Sequence, residues 1–165
     1  MIRMNKRFKA RWQQEGMDDW LKSVILQPRL QTLVNAPFVR KAGGLLLAPL
    51  VAHATSPEIF QDRTGYEAFI NKFHVDDFMD APDEMDKGRL NVLFQQGAKA
   101  AIILSERLEK EGAYRVFLSL DVLSLEEGHP TMTLRFFERR IGEPWGDDDL
   151  DSYPLDEILM IDTNA

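Results

Sequence analysis

The sequence predicts an α+β fold: a helical amino-terminal part, then a small, mainly antiparallel sheet packed against one long helix at about residues 88–111. Three observations carry that expectation. Apolar residues recur at helical spacing through the first two thirds of the chain, the period changes to two after Gly112, and the first two period-two segments are joined by a short turn. Helices first and strands last is the pattern of an α+β protein. With 165 residues, 44% of them hydrophobic, the chain can bury a core without metal or disulfide staples, so residues 1–165 are read as one domain.

Taken in order, Trp12, Met17, Trp20, Leu21, Val24 and Ile25 are spaced as one helix face, which Pro28 should end or break. Leu30, Leu33 and Val34 suggest a second short helix, stopped near Ala36 because Pro37 pushes its predecessor out of the helical region. Gly43 and Gly44 mark a break, and Leu45 to Ala52 reads as core or a buried connection. Ser56-Pro57-Glu58 has the order of a helix start. Thr64-Gly65-Tyr66-Glu67 has the spacing of a capping box, opening a helix with Tyr66, Phe69, Ile70 and Phe73 on one side. The longest helical pattern starts near Gly88 and runs through Leu90, Leu93, Phe94, Gly97, Ala101, Leu104 and Leu108, with Gly112 as its stop. Tyr114 to Leu123 and Thr131 to Arg139 alternate as strands about the turn at Glu126 to Pro130, and Leu155 to Ile161 is a third strand.

Charge is segregated along the chain. Residues 1–50 carry 9 basic and 3 acidic side chains, giving a basic helical segment of +6, and residues 51–165 form an acidic α+β part of -13. Two acidic clusters dominate: Asp76, Asp77, Asp80, Asp83, Glu84 and Asp86, then Glu143, Asp147, Asp148, Asp149, Asp151, Asp156, Glu157 and Asp162. Such a field repels nucleic acid and anionic membranes and attracts a cationic partner; acidic loops that merely keep a protein soluble are the plainer alternative.

Several chemistries lack support. There is no cysteine, so thiol nucleophiles and thiolate metal sites are excluded. No glycine spacing fits a phosphate-binding loop, no Gly-x-Ser-x-Gly elbow occurs, and no acidic run has the register of a calcium loop; no cofactor is implied. No apolar run is long enough for a membrane helix, and none follows the charged amino terminus as in a signal peptide, so a cytoplasmic protein is expected. The best local constellation for a small hydrolase is His74 with Asp76 or Asp77, although the same residues suit a solvated helix end. For a nucleic-acid adaptor the candidates are Arg3, Lys6, Arg7, Lys9 and Arg11; a basic helix packed beside the protein's own acidic loops is the favoured reading of that segment. Trp145, in a polar acidic loop, is either a contact anchor or a lid folded back on the sheet.

The runs YRVFLSLDV, TMTLRFFERRIGEPWG and DDDLDSYPLDEILMIDT, with FINKFHVDDF and LNVLFQQGAKAAIILSERL before them, cover roughly residues 66–163. Together they resemble small acidic immunity proteins of bacterial toxin–immunity systems, especially contact-dependent growth inhibition. The resemblance implies a cytoplasmic protein with no catalysis of its own, which binds and neutralises the carboxyl-terminal domain of a cognate toxin, commonly a basic nuclease. Charge and loop placement, rather than any family motif, nominate the partner-binding residues: Asp76, Asp77, Asp80, Asp83 and Glu84 from the first cluster, and Trp145, Asp147, Asp148, Asp149 and Asp151 from the second.

Overall fold

A computed structural model describes residues 1–80, 87–126 and 129–164. The fold is α+β, with a five-stranded sheet in the order β1-β7-β5-β6-β4, every pairing antiparallel. The three long strands are β5 (Tyr114–Asp121), β6 (Met132–Glu138) and β7 (Asp156–Asp162), flanked by β1 (Ile2–Met4) and β4 (Phe73–His74). Their alternation divides the side chains between two faces. Val116, Leu118, Leu134, Phe136, Leu159 and Ile161 belong to the main core, which also holds Phe94, Ala98, Ala101, Leu104 and Leu108 of α5 (Lys87–Leu108). Gly97 sets how close that helix lies: a Cβ there would collide with the Met132 Sδ.

The amino-terminal segment is where the structure departs from the sequence-based expectations. The helix face from Trp12 to Ile25 is divided into α1 (Lys6–Gln14) and α2 (Met17–Trp20), because Gly16 takes φ +60, which ends one helix and starts the next. Trp20 and Ile25 are consequently exposed, whereas Phe8 and Met17 are buried. Pro28 does not stop a helix but opens α3 (Pro28–Val34), occupying the first turn where its missing N–H costs nothing. Leu30, Leu33 and Val34 are buried as anticipated. The Gly43–Gly44 break is the turn of a hairpin between β2 (Phe38–Lys41) and β3 (Gly44–Leu47), with Ala42 and Gly43 both at positive φ. Four short strands, β1, β4 and the two of this hairpin, lie outside the three strands that the sequence predicts.

The capping box is also corrected. The cap of α4 (Arg63–Ile70) is Asp62, whose side chain accepts from the Gly65 N–H at 2.7 Å, while Thr64 is buried inside the first turn. Ser56-Pro57-Glu58 does open a single 3-10 turn, Pro57–Ile59, with Ser56 at its N-cap position, but the Ser56 hydroxyl pairs with the Glu58 carboxylate instead of capping a backbone N–H. Of the side expected from α4, Phe69 is exposed. Glu67, freed from capping, is fully buried and accepts from the Leu45 N–H at 2.6 Å, the Glu138 N–H at 2.8 Å and the Arg140 guanidinium at 2.9 Å. One turn on, Asn71 donates to the Leu45 and Phe136 carbonyls and accepts from the Leu47 N–H. These two side chains join the hairpin to the edge of β6, with which β3 forms no ladder.

Removing one partner from a buried ionic cluster leaves the others desolvated and uncompensated, a loss of about 3–5 kcal/mol. Glu67→Ala is expected to destabilise the protein by that amount, read as a lower urea midpoint. An unchanged midpoint would show that Arg140 and the two N–H groups find other partners.

Candidate functional site

The second face of the sheet is defined by ladder register. One rung holds Asp162, Arg115 and Phe137; the next holds Met160, Phe117 and Arg135; the next holds Ile158, Ser119, Thr133 and His74; Asp156 and Asp121 lie opposite each other at the end of the β5–β7 ladder. The segment 139–155, which joins β6 to β7, folds across the first two rungs. Trp145 approaches Phe137 and Phe117 with ring centroids at 4.9 and 5.6 Å, and Tyr153 approaches Phe117 at 6.1 Å. Leu150 completes this smaller core. Trp145 thus lies back on the sheet as a lid, while remaining half-exposed.

Ion pairs fix this loop to the basic amino terminus. Arg115 clamps Asp162 through two hydrogen bonds, at 2.7 and 3.0 Å, and reaches Asp148 at 2.9 Å. Arg3 bridges the same two acids at 3.2 and 3.3 Å. Asp151 accepts from the Lys6 backbone N–H at 2.9 Å and pairs with its ammonium, and Arg11 holds Glu157 in a two-pronged contact at 2.6 and 2.7 Å. At the root of the loop, Glu143 accepts from both the N–H and the hydroxyl of Thr64 at 3.0 Å. Much of the basic segment is therefore spent on the protein's own acids: Arg3, Lys6 and Arg11 are engaged, while Arg7 and Lys9 stay exposed.

The nominated residues fall into three groups. Asp148 and Asp151 are exposed but serve as loop anchors. Asp147 and Asp149 are exposed, have no ion pair among the described residues, and are held by short loop bonds: Asp147 accepts from the Asp149 N–H, and Asp149 from the Asp151 N–H. In the first cluster, Asp76 accepts from the Met132 N–H at 3.0 Å, which joins the turn after β4 to β6, while Asp77 and Asp80 are exposed and unpaired among the described residues. Asp83 and Glu84 lie outside the described residues. His74 contacts the Thr133 hydroxyl at 3.4 Å, and no hydrogen bond joins it to Asp76 or Asp77.

Between the lid and the far end of the strands lies an open pocket of about 490 Å³. Ser119, Thr133 and His74 line its sheet side, with Phe117, Trp145 and Tyr153 at one end and Asp121 and Asp156 at the other. Burial, reinforced by the neighbouring Asp121, pushes the Asp156 carboxyl above the usual carboxylate range. Arg135 also lines the pocket, under Trp145 with its guanidinium carbon 4.9 Å from the ring centroid. Sequence reasoning passed over Arg135 as one more polar residue in an alternating strand. The available signal was a long cation on the face where its neighbours Phe117 and Phe137 are aromatic. Among the described residues, no three His, Cys, Asp or Glu side chains are grouped as metal ligands would be, and no helix is long and apolar enough to cross a membrane.

Burial opposes ionisation of Asp162, but the hydrogen bonds and charge of Arg115, with Arg139 and Arg3 nearby, outweigh it and hold the carboxyl below its ordinary 3.8. Arg115, by charge and then by hydrogen bond, also lowers Asp148. A carboxyl with a depressed folded-state pKa stabilises fully above its unfolded value, and that contribution disappears as pH falls through the folded one. The loop attachment is thus expected to be constant at neutral pH and to weaken below about 3.8, seen as a falling urea midpoint and a changed Trp145 environment. Asp162→Asn should cost about 3 kcal/mol at neutral pH and flatten that acid dependence. A variant retaining the full dependence would locate it elsewhere.

No curated protein and no solved structure matches the chain. A family model matches residues 3–165, nearly the whole length, and the chain belongs to the uncharacterized protein PM0498 family.

Proposed function

We propose that this protein is an inhibitory binding protein of the immunity type, acting in the cytoplasm, which neutralises a cognate toxin domain by laying its acidic surface over a basic active site. One observation carries the reading. After the internal ion pairs are formed, Asp77, Asp80, Asp147 and Asp149 remain exposed with no cation paired to them among the described residues, and no Lys, Arg or His occurs from residue 141 to the end. Carboxylates needed to stabilise the fold would be expected to sit beside its cations, as Asp162 and Glu157 do.

Surplus acids on a surface already fixed by anchors suit the task physically. They stand in for phosphate oxygens, accelerate encounter with a basic partner by steering, and repel partners of the wrong charge. Their preorganisation matters because Asp147 and Asp149 are held by loop hydrogen bonds and need little further ordering on binding. The resemblance of residues 66–163 to toxin-neutralising immunity proteins supports the same reading from another direction. The basic run does not favour a nucleic-acid role, since Arg3, Lys6 and Arg11 are committed to internal carboxylates.

The test is co-expression with the reading frame directly upstream of the gene. The expected result is copurification and restored growth of cells making that product. Asp77→Lys with Asp80→Lys, and separately Asp147→Lys with Asp149→Lys, should slow association by about tenfold at low salt, with the difference shrinking as salt rises. Absence of both binding and protection would overturn the proposal.

A further inference from the structure

Two arginines on the outer face of the sheet have opposite circumstances. Arg115 is surrounded by Asp162 and Asp148 and hydrogen-bonds to Asp162. Arg135, on the adjoining rung, has no ion pair or side-chain hydrogen bond among the described residues, and its Nε is buried without a partner. The Trp145 ring and the charge of Asp156 compensate Arg135 in part, since an aromatic face attracts a guanidinium, but they leave its Nε–H without an acceptor. A buried polar group without a partner is costly and calls for an explanation; of the three such side-chain atoms among the described residues, Arg3 Nε, Tyr66 Oη and Arg135 Nε, the last belongs to the cation that lines this pocket.

The lining of the pocket selects among anions. A guanidinium matches the two oxygens of a carboxylate in one plane, and the hydroxyls of Ser119 and Thr133 add donors beside it. Asp121 and Asp156, at the other end of the same pocket, oppose a doubly charged phosphate more than a singly charged carboxylate. Phe117, Trp145 and Tyr153 supply an apolar wall for whatever carries the group. Trp145, which lines this pocket, also lines a neighbouring hollow with Asp147 and Asp148, so the exposed acids of the 147–149 loop adjoin it.

We infer that the Arg135 pocket is a socket for one carboxylate presented by the protein partner, an inference that rests on the immunity reading above. A cation within a field of acids is the charge complement of a carboxylate set among cations. That is the arrangement a phosphodiester-cleaving site needs, with an acidic group to handle a proton or a metal and basic groups to hold phosphates. Arg135 would occupy the acid while the outer carboxylates occupy the phosphate-binding cations.

The experiment has two arms. In the first, sodium benzoate is titrated at constant ionic strength while the Trp145 indole and Arg135 Nε resonances are followed by NMR, with benzamide as the uncharged control. Benzoate should shift both resonances saturably and benzamide should not. Arg135→Met should lose the Trp145 shift with its melting temperature equal or raised, because an unpaired cation has been replaced by an apolar side chain. No shift with benzoate, or a Trp145 shift unchanged in Arg135→Met, overturns the socket. If Arg135→Met fails to fold, Arg135→Lys, which keeps the charge but not the planar donor set, must weaken benzoate binding for the inference to stand.

In the second arm, the upstream product is bound to wild type and to Arg135→Met. The expected change is a dissociation rate raised roughly 30-fold or more with association nearly unaltered. Wild-type binding with an unchanged dissociation rate in the variant overturns the socket and leaves the immunity reading in place. Failure of the wild type to bind overturns that reading and with it the partner as the carboxylate's source.

Discussion

The buried carboxylate of Glu67 is the constraint on which the arrangement of this molecule depends. The β2–β3 hairpin and the five-stranded sheet share no ladder, so their backbone groups would face one another unsatisfied if no side chain came between them. Glu67 supplies an acceptor to each, through the Leu45 and Glu138 N–H groups, and balances its charge with Arg140. Asn71 repeats the bridge one helical turn later with the opposite polarity, donating to Leu45 and Phe136 carbonyls. Gly44 belongs to the same device: a Cβ there would meet the Glu67 Cγ at 2.8 Å, so the hairpin approaches only because that position has no side chain. Arg140 is also the residue from which the acidic loop departs, and its contacts with Glu67, Glu138 and Thr64 fix the direction of departure. The outer-face pocket has its lid where it does because of a carboxylate on the far side of the lid's root.

What could be read in advance follows from the length scale of each signal. The long helix and the three long strands repeat their period several times, and each repeat adds independent support for the same assignment. Strands β1 and β4, of three and two residues, contain no full period; they are strands only because β7 and β6 offer free edges. Pro28 carries a signal valid at either end of a helix, and the choice is made by Leu30, Leu33 and Val34 packing into the core after it. Thr64 and Glu67 have the spacing of a cap, yet Asp62 takes that role in an extended conformation, leaving Glu67 to be buried by tertiary contacts that no local spacing encodes.

The same limit applied to the candidate site. Runs of acids are visible in sequence, but whether an acid is surplus depends on which cations fold against it. Asp148 and Asp149 are adjacent and chemically identical, and one anchors the loop through Arg115 and Arg3 while the other has no ion pair among the described residues. The basic amino terminus, which stood out as a separate feature with a sign opposite to the rest of the chain, is the counter-charge for the acidic carboxyl terminus, and α1 packs on β7 to bring them together. Trp145 was legible as an aromatic residue in a polar loop because that is an unusual place for one; Arg135, a polar residue on an alternating strand, was in a usual place.

The outer face therefore consists of two halves built from the same materials. In the half around Arg115, cation and carboxylates are matched, with Arg115 and Asp162 buried and Asp148 reaching in from the surface loop, and the matching is what holds the loop down. In the half around Arg135, a cation, hydroxyls and two carboxyls occur within one open pocket without being matched to one another. Burial pushes the Asp156 carboxyl up and the Arg135 guanidinium down, and the charge each feels from the other opposes both shifts only in part, while Arg135 keeps its charge. A fold with enough arginines and carboxylates to complete one such network has no shortage of material for the second. Where unmatched groups sit beside a completed network on one sheet, their mismatch is a property of the surface, and the proposed carboxylate socket rests on that contrast.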